Sequence, residues 1–225
     1  MRYLILSEKS WNANLPALLK EEGITDKIEL INIKSDFTLV NLRRIKPDFV
    51  FVVHWSYVIP AEIFNEFECI VFHMTDVPFG RGGSPLQNLI SRQIYDTKLS
   101  ALRVVREFDA GPVYIKERLN LNGSAEEIFL RANRLMVRMI KDIIVNKPEP
   151  LVQVGEPTVF KRRIPEMSEI RDIETIENLF DHIRMLDAEG YPKAFLNIEQ
   201  FVFEFSRAAL KADGSIIADV RITKK

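Results

Sequence analysis

The chain has 225 residues, and its 31 Lys and Arg against 32 Asp and Glu give a formal net charge of −1. A hydrophobic fraction of 47% and a charged fraction of 28% are ordinary for a globular protein, which excludes disorder, collagen-like repeats and a coiled coil as the main architecture. The near-zero charge disfavours a dedicated nucleic-acid binder, which usually carries a basic surplus. The length predicts between one and two domains with a buried core.

Cys69 is the only cysteine, so neither a disulfide framework nor a cysteine zinc site is expected, and no metal is predicted. The first residues run directly into an apolar strand-like segment without the basic stretch of a signal peptide. No apolar segment approaches the roughly 20 residues that cross a bilayer. We therefore expect a cytoplasmic protein that does not contact membranes.

Short apolar runs alternate with helical patterns in the first half of the chain. Strands are predicted at 3–6, 28–33, 49–53 and 69–72, with helices at 14–23 and 36–45. Asp36 has the position of an N-cap, and Pro47 follows the end of the second helix. Strands that alternate with helices indicate βαβ units, so we predict an α/β fold with a mostly parallel sheet.

The second half begins with two β-rich stretches, 99–108 and 112–121, which Asp109-Ala110-Gly111 separates. Ser124 and Glu127 form a capping-box pattern for a helix that ends near Val145. Further elements are predicted at 173–186 (helix) and at 194–198, 201–206 and 216–222 (strands). We expect a catalytic domain at 1–160 and a small α+β appendage at 161–225.

Polar residues and glycines follow the third and fourth strands. His54 to Pro60 follows the third, and His73 to Pro85, with the glycine cluster Gly80-Arg81-Gly82-Gly83, follows the fourth. Ligands of open α/β sheets bind beyond the carboxyl ends of the strands. Two of the three histidines therefore stand where a ligand site is expected.

Structural explanations exist for the same residues. A histidine at a strand end often serves only as a hydrogen-bonding group, and Asp109 has the position of a turn residue before Gly111. The glycine cluster can form a tight turn before a helix that has Ser84 as N-cap and Pro85 in its first position. The cluster matches neither the dinucleotide fingerprint nor a phosphate-binding loop.

Three segments together resemble the 10-formyltetrahydrofolate-dependent formyltransferases. The segment from Cys69 to Ile90 has that family's signature residues, which are His73, Thr75, Pro78, Arg81-Gly82 and Pro85. The segment from 96 to 113 resembles the motif that carries a catalytic Asp before Gly-Pro, here Asp109. Val53 to Pro60 is similar to the folate-side loop. The resemblance covers about residues 1–160 and implies a Rossmann-like formyltransferase domain.

The resemblance implies a role for each of these residues. His73 would donate to the oxyanion that develops when an amine attacks the formyl carbon, and Asp109 would orient His73 and relay the proton that the amine loses. The predicted folate-binding residues are Trp55, Ser56, Tyr57, Val58, Ile59, Arg81, Gly82 and Gly83. Packing alone is an equal explanation for Trp55 and Tyr57.

The chain departs from the family at Val71, where the family usually has an Asn two residues before the His. Either another group performs the task of the Asn, or activity is reduced or lost. The second case leaves a catalytically silent folate- or nucleotide-binding protein as an alternative.

The tail resembles that of small sugar N-formyltransferases and also the formylation domains of nonribosomal peptide synthetases. Because the tail is short for an RNA-binding barrel and the net charge is −1, we predict as acceptor a nucleotide-linked amino sugar of a surface-glycan or pseudaminic-type pathway, and no nucleic-acid partner. The predicted substrate-binding residues are Thr75, Lys161, Arg162 and Tyr191. A solvated charged turn is the favoured explanation for Lys161 and Arg162, and Tyr191 either stacks on a base or only caps the small domain. Alternative acceptors are a carrier-bound aminoacyl group and methionyl-tRNA, and a homodimer is left open.

Overall fold

A computed structural model describes all residues from 1 to 225. The strands are Arg2–Leu6 (β1), Lys27–Ile31 (β2), Phe49–Val52 (β3), Cys69–His73 (β4), Arg81–Gly82 (β5), Asp96–Arg103 (β6), Val113–Asn120 (β7), Val159–Phe160 (β8), Ala194–Ile198 (β9), Phe201–Leu210 (β10) and Ile216–Lys224 (β11). The α-helices are Leu15–Glu21 (α1), Leu39–Ile45 (α2), Ala61–Phe64 (α3), Pro85–Ile90 (α4), Ala125–Asn146 (α5) and Ile176–Arg184 (α6).

Six strands form one sheet in the order β2-β1-β3-β4-β6-β7. The pairs β1–β2, β1–β3 and β3–β4 are parallel, whereas β4 and β6 are antiparallel. The predicted α/β fold with a mostly parallel sheet is therefore confirmed. The β-rich stretch predicted to reach residue 108 ends at Arg103, because the chain turns there toward Asp109.

The central strands are buried on both faces, as parallel strands usually are. Leu4 and Leu6 of β1 belong to a buried cluster with Val50 and Val52 of β3 and with Leu42 of α2. The alternate residues of the same strands face the other side of the sheet, where Tyr3 and Phe51 have ring centroids 6.2 Å apart. This alternation fixes the register in which the ends of β1, β3 and β4 come together.

Two helix starts test the predicted caps. Asp36 is not the N-cap of α2, because Lys34–Asp36 forms a short 3₁₀ turn and Thr38 accepts the N–H of Asn41 at 3.2 Å instead. The capping box of α5 is confirmed. The Ser124 N–H donates to Glu127 Oε2 at 2.8 Å, and the Glu127 N–H donates to Ser124 Oγ at 3.3 Å.

The chain divides into two compact units, each built from several segments. The first contains Met1–Gly82, Lys98–Leu119 and Leu130–Val159, and the second contains Gly83–Thr97, Asn120–Phe129 and Phe160–Lys225. The predicted domain division after residue 160 stays a prediction. None of the helices has the combination of length and apolar character that spanning a bilayer requires.

The second unit combines α6 with the three-stranded sheet β11-β10-β9. Thr175 caps α6 by accepting the N–H of Asn178 at 3.2 Å. Near the other end of the helix, the buried Arg184 forms an ion pair with Asp181 at 2.7 Å and donates to the carbonyl of Leu121 at 2.6 Å. These bonds satisfy a buried charge that would otherwise be costly.

Candidate active site

His73 and Asp109 come together in the first unit. His73 is the last residue of β4 and is buried, and Asp109 lies in the turn between β6 and β7. His73 Nδ1 is 3.5 Å from Asp109 Oδ2. The antiparallel pairing places Ser100 of β6 opposite His73 and Arg103 opposite Ile70, and the turn after β6 brings Asp109 back to His73, where the Gly82 N–H holds its carboxylate.

The other ring nitrogen of His73 bonds to the loop that follows β4. His73 Nε2 is 2.8 Å from the carbonyl oxygen of Gly80. Because a carbonyl oxygen only accepts, Nε2 carries the hydrogen. Thr75 is fully buried, and its hydroxyl donates to the same carbonyl at 3.3 Å. The structure therefore places Thr75, predicted to bind substrate, in the support of this loop.

Asp109 and Gly111 each meet a specific structural requirement of the turn between β6 and β7. Asp109 has a left-handed φ of 52°, and its Oδ2 accepts the Gly82 N–H at 2.8 Å. A Cβ at Gly111 would lie 1.8 Å from the carbonyl oxygen of Arg103, so this position excludes a side chain. The turn carries a carboxylate, which the backbone of Gly82 orients toward His73.

Gln153 joins the Asp109 turn to Arg81. Its Nε2 donates to the carbonyls of Asp109 and Gly111, both at 2.8 Å, and its Oε1 accepts from Arg81 Nε at 3.1 Å and Nη2 at 2.7 Å. Sequence reasoning missed Gln153, since a single glutamine in an irregular segment carries no motif. Arg81, predicted to bind the folate, uses its guanidinium in this contact.

Gly82 and Gly83 are favoured as glycines for different structural reasons. Gly82 has a φ of 100°, which favours glycine, whereas a Cβ at Gly83 would lie 2.6 Å from the Cβ of Arg162. The close approach at Gly83 is therefore to the chain itself. Pro85 begins α4 as expected, but the Ser84 hydroxyl does not cap this helix and accepts the Arg163 N–H at 3.1 Å.

The loop after β3 presents unused backbone groups. No backbone N–H or C=O group from Trp55 to Ile59 bonds to another backbone group. The Trp55 ring packs edge-on against Phe37 with centroids 6.0 Å apart, yet its buried Nε1 has no hydrogen-bond partner. Tyr57 and Val58 are exposed. The loop is thus anchored in the core by an aromatic ring while its polar groups remain available to a ligand.

The remaining members of this loop have simpler surroundings. The Ser56 hydroxyl donates to Glu8, and Ile59 is buried in the hydrophobic cluster. The Lys34 ammonium lies 4.4 Å from the centroid of the Tyr57 ring.

A polar network lies at the ends of β1 and β3. His54 has a φ of 50°, and its Nδ1 is 3.1 Å from Asn12 Nδ2, which therefore donates to it. Asn12 also bonds to Ser7 at 2.9 Å and to Asn133 at 2.7 Å. Burial, with the nearby Lys9, lowers the pKa of His54 to about 4. His54 is consequently neutral near pH 7.

Val71 lies on the same face of β4 as His73, two residues before it. It is half-buried and packs against the hydrophobic cluster of that face. This strand position therefore supplies packing and no hydrogen bond.

Asp76, in the loop after β4, is paired with two lysines. Its carboxylate contacts Lys116 at 2.6 Å and Lys98 at 3.0 Å. Partial burial alone would raise the pKa of Asp76, but the hydrogen bonds from Lys116 and Lys98 outweigh it and lower that pKa. Together with the Asp109 turn, these contacts hold the loop after β4 from two sides.

Three predicted substrate-binding residues belong to the second unit. Lys161 and Arg162 are exposed. The Tyr191 ring stacks on Phe129 with centroids 5.3 Å apart and an interplanar angle of 25°. This contact is a packing role for the Tyr191 ring, and the substrate-binding roles of Lys161, Arg162 and Tyr191 stay predictions.

The tail matches a known domain profile. Residues 165–223 match the profile of the methionyl-tRNA formyltransferase C-terminal domain. The methionyl-tRNA formyltransferase of Wolinella succinogenes is 27% identical over 75% of this chain and 56% of its own length. That of Mesoplasma florum is 24% identical over 83% of this chain and 63% of its own length. The chain thus spans less than two thirds of these curated relatives.

Solved structures extend the comparison to the full chain. A structure described as methionyl-tRNA formyltransferase from Clostridium thermocellum is 47% identical, with a TM-score of 0.96 and complete coverage of both chains. HypX from Aquifex aeolicus, in complex with tetrahydrofolic acid, is 16% identical, with a TM-score of 0.76 over 94% of this chain and 38% of its own. A sugar N-formyltransferase from Shewanella is 16% identical, with a TM-score of 0.67 over 100% and 98%. The last two share the fold.

These relatives correct two predictions. The expected nucleotide-sugar acceptor and the expected absence of a nucleic-acid partner are wrong, because the relatives with the greater identity are named for methionyl-tRNA. The net charge misled because it averages over the whole surface and does not describe the local distribution of charge. The length of the tail misled because residues 165–223 match the methionyl-tRNA formyltransferase C-terminal domain, which we expected to be longer than this tail.

Proposed function

This chain belongs to the 10-formyltetrahydrofolate-dependent formyltransferase family, and we propose that it transfers the formyl group of 10-formyltetrahydrofolate to the amine of methionyl-tRNA. The observation that carries the reaction is the approach of His73 Nδ1 to Asp109 Oδ2 at 3.5 Å, at the carboxyl end of β4. The observation that supports the acceptor is the 47% identity, over the whole chain, to a protein named methionyl-tRNA formyltransferase.

His73 is the proposed donor to the oxygen that becomes negative as the amine attacks the formyl carbon. Its Nε2–H already donates to the carbonyl of Gly80 at 2.8 Å. The formyl oxygen and the Gly80 carbonyl would therefore compete for one N–H. A charged oxygen accepts more strongly than a neutral carbonyl, so the bond would favour the reacting oxygen as charge develops.

Asp109 is the proposed positioning group and proton acceptor. Its Oδ2 faces His73 Nδ1 and accepts the Gly82 N–H, so the carboxylate holds the imidazole while the backbone holds the carboxylate. The attacking amine must lose a proton when it forms the new C–N bond, and Asp109 is the carboxylate beside His73 that would receive it. The proton would then reach the nitrogen of the leaving tetrahydrofolate.

The loop from Trp55 to Ile59 fits the formyl donor. Its backbone groups and the buried Trp55 Nε1 lack protein partners, and a pterin edge offers hydrogen-bond donors and acceptors like those of a base. 10-Formyltetrahydrofolate, bound at this loop, would supply the formyl carbon. Arg81 donates to Gln153, so we assign Arg81 the role of supporting the Asp109 turn through Gln153.

The proposed reaction must proceed without the family's Asn, because Val71 occupies that position and its side chain offers no hydrogen bond. The backbone N–H groups of the loop after β4 are the remaining candidates for a second donor to the oxyanion. If they serve, activity persists without the Asn.

The experiment combines the full chain with 10-formyltetrahydrofolate and methionyl-tRNA and measures release of tetrahydrofolate and formation of formylmethionyl-tRNA. We expect both products in equal amounts. His73→Ala should lower the rate by about 10²- to 10³-fold, as loss of an oxyanion donor does. Binding of 10-formyltetrahydrofolate without formylation of the amine would refute the proposed activity and favour the catalytically silent alternative.

A further inference from the structure

A lysine with no acidic partner lies over the exposed aromatic ring of the loop after β3. The Lys34 ammonium is 4.4 Å from the centroid of the Tyr57 ring, and both side chains are exposed. Lys34 takes part in no ion pair, and its ammonium makes no hydrogen bond. The acidic residue next to it in the turn, Asp36, accepts from the Ser35 hydroxyl at 3.4 Å instead. The charge of Lys34 is therefore not compensated within the chain.

The turn that carries Lys34 is anchored in the core beside this loop. Lys34–Asp36 forms a 3₁₀ turn, and the Phe37 N–H donates to the Lys34 carbonyl at 3.1 Å. The Phe37 side chain is buried, and its ring packs edge-on against Trp55. Trp55 packs edge-on against Tyr57 in turn, with centroids 5.2 Å apart. Three aromatic rings thus connect the core to the place where Lys34 lies.

The groups along this path match the three parts of the proposed formyl donor. 10-Formyltetrahydrofolate consists of a pterin, an aminobenzoyl ring and a glutamate. The loop offers backbone groups and the buried Trp55 Nε1 to the pterin. Farther out it offers the exposed ring of Tyr57, and beside that ring lies the cation of Lys34. Because the glutamate carboxylates are the charged part of the donor near pH 7, they are the part that a cation would bind.

We propose that Tyr57 and Lys34 bind the outer part of the formyl donor, with the Tyr57 ring against the aminobenzoyl ring and the Lys34 ammonium paired with a glutamate carboxylate. This inference rests on the proposed function, because it takes the loop after β3 as the folate site. A cation beside an aromatic face keeps its charge, so the ammonium can contact the ring and a carboxylate together.

The carboxylate already bound to this loop does not take the place of the ligand. Glu8 accepts from the Ser56 hydroxyl and lies 3.7 Å from the Lys9 ammonium. Its charge is thus compensated by a neighbouring lysine. Lys34 is consequently the cation at this loop that is left for an anionic ligand.

A neutral form of the ligand tests the charge. Calorimetric titration compares tetrahydrofolate with its dimethyl ester, in which both glutamate carboxylates are uncharged. The ester should bind about three- to fivefold more weakly, the effect of one exposed ion pair. If tetrahydrofolate binds and the ester binds equally well, this inference fails while the proposed function stands. If tetrahydrofolate does not bind, the proposed function fails and this inference fails with it.

A substitution of Lys34 tests the partner of that charge. Lys34→Gln removes the charge and keeps a similar length, so it should bind tetrahydrofolate and the ester equally well. The matched control is Lys20→Gln, at an exposed lysine in the last turn of α1, which should keep the wild-type preference. A preference that survives in Lys34→Gln would overturn the proposal. So would an equal loss of affinity for both ligands.

Kinetics and RNA binding separate this role from two others. Lys34→Gln should raise KM for 10-formyltetrahydrofolate and leave kcat unchanged, because Lys34 would bind a part of the donor that does not react. A lower kcat at unchanged KM would contradict this role. Weaker binding of methionyl-tRNA with an unchanged preference among the folates would assign Lys34 to the acceptor and overturn the proposal.

The Tyr57 ring has its own test. Tyr57→Leu should weaken the binding of tetrahydrofolate and of its ester by about fivefold each, since both contain the aminobenzoyl ring. Tyr57→Phe keeps the ring and should bind both ligands as the wild type does. Circular dichroism establishes that each variant is folded. Wild-type affinity in Tyr57→Leu would remove Tyr57 from the site.

Discussion

Gln153 Nε2 lies 2.8 Å from the carbonyl oxygen of Asp109, although the two residues are 44 positions apart. The same amide group reaches Gly111 and Arg81, so all the hydrogen-bonding capacity of one glutamine is used to hold the proposed catalytic turn. The geometry of Asp109 therefore depends on a residue that does not contact His73.

Gln153→Ala should destabilise the chain by about 1–3 kcal/mol, because it leaves two backbone carbonyls and a guanidinium without their partner. Urea unfolding measures the change. The matched control is Gln200→Ala, at an exposed turn residue, which we expect to alter the free energy of unfolding by less than about 0.5 kcal/mol. Equal effects of the two substitutions would contradict the bracing role of Gln153.

Asp109→Asn should lower kcat/KM for formyl transfer by about 10²- to 10⁴-fold, the usual contribution of a general base. The fold should persist, because the amide retains an oxygen that accepts the Gly82 N–H. The exposed Asp36 provides the control substitution Asp36→Asn, which removes the same charge and should leave the rate unchanged. A wild-type rate in Asp109→Asn would remove Asp109 from the mechanism.

Gly111→Ala should destabilise the chain by about 3 kcal/mol or more, since a methyl group 1.8 Å from the carbonyl oxygen of Arg103 forces the backbone to move. Gly190→Ala is the control. It has a positive φ of 72° but no atom within 4 Å of the added methyl, so only the backbone strain of about 1 kcal/mol applies. Thermal unfolding compares the two, and a Gly111→Ala chain as stable as Gly190→Ala would refute the close approach.

His54 should make the protein sensitive to acid. Its pKa is about 4 in the folded chain against an ordinary value of 6.5, so the unfolded chain takes up the proton first. The stability from this group is complete above pH 6.5 and is lost as the pH falls toward 4, up to about 3 kcal/mol. Urea unfolding between these pH values should show a shallower loss for His54→Asn, whereas parallel curves would contradict the prediction.

Local sequence patterns were sufficient to predict those structural features that depend only on neighbouring residues. The capping box at Ser124 and Glu127 forms as predicted, because both partners lie within one helical turn. The start of α2 was predicted wrongly, since Asp36 and Thr38 are both good caps and packing of Leu42 and Ile45 decides which one begins the helix.

In the proposed site, too, the sequence indicated some residues but not the contacts that bring them together. A motif pointed to His73 and Asp109, but their approach depends on the bonds that Gly82 and Gln153 make to the Asp109 turn, which no local pattern contains. Gly83 was read as an approach to a cofactor, whereas the structure places the backbone of Arg162 against it. Contacts between segments distant in the chain depend on the whole packing, so the role of such a glycine is not visible in its neighbours.

The alternation of short apolar strands with helices was enough to predict an α/β fold with a mostly parallel sheet. The net charge of −1 could not identify the acceptor, because a sum over the surface contains no positions. Only the tertiary structure decided that Gln153 braces Asp109 and that alternate apolar residues of β9, β10 and β11 share one face of a sheet. Both arrangements follow from strand register and chain crossing, which bring together residues that the sequence keeps apart.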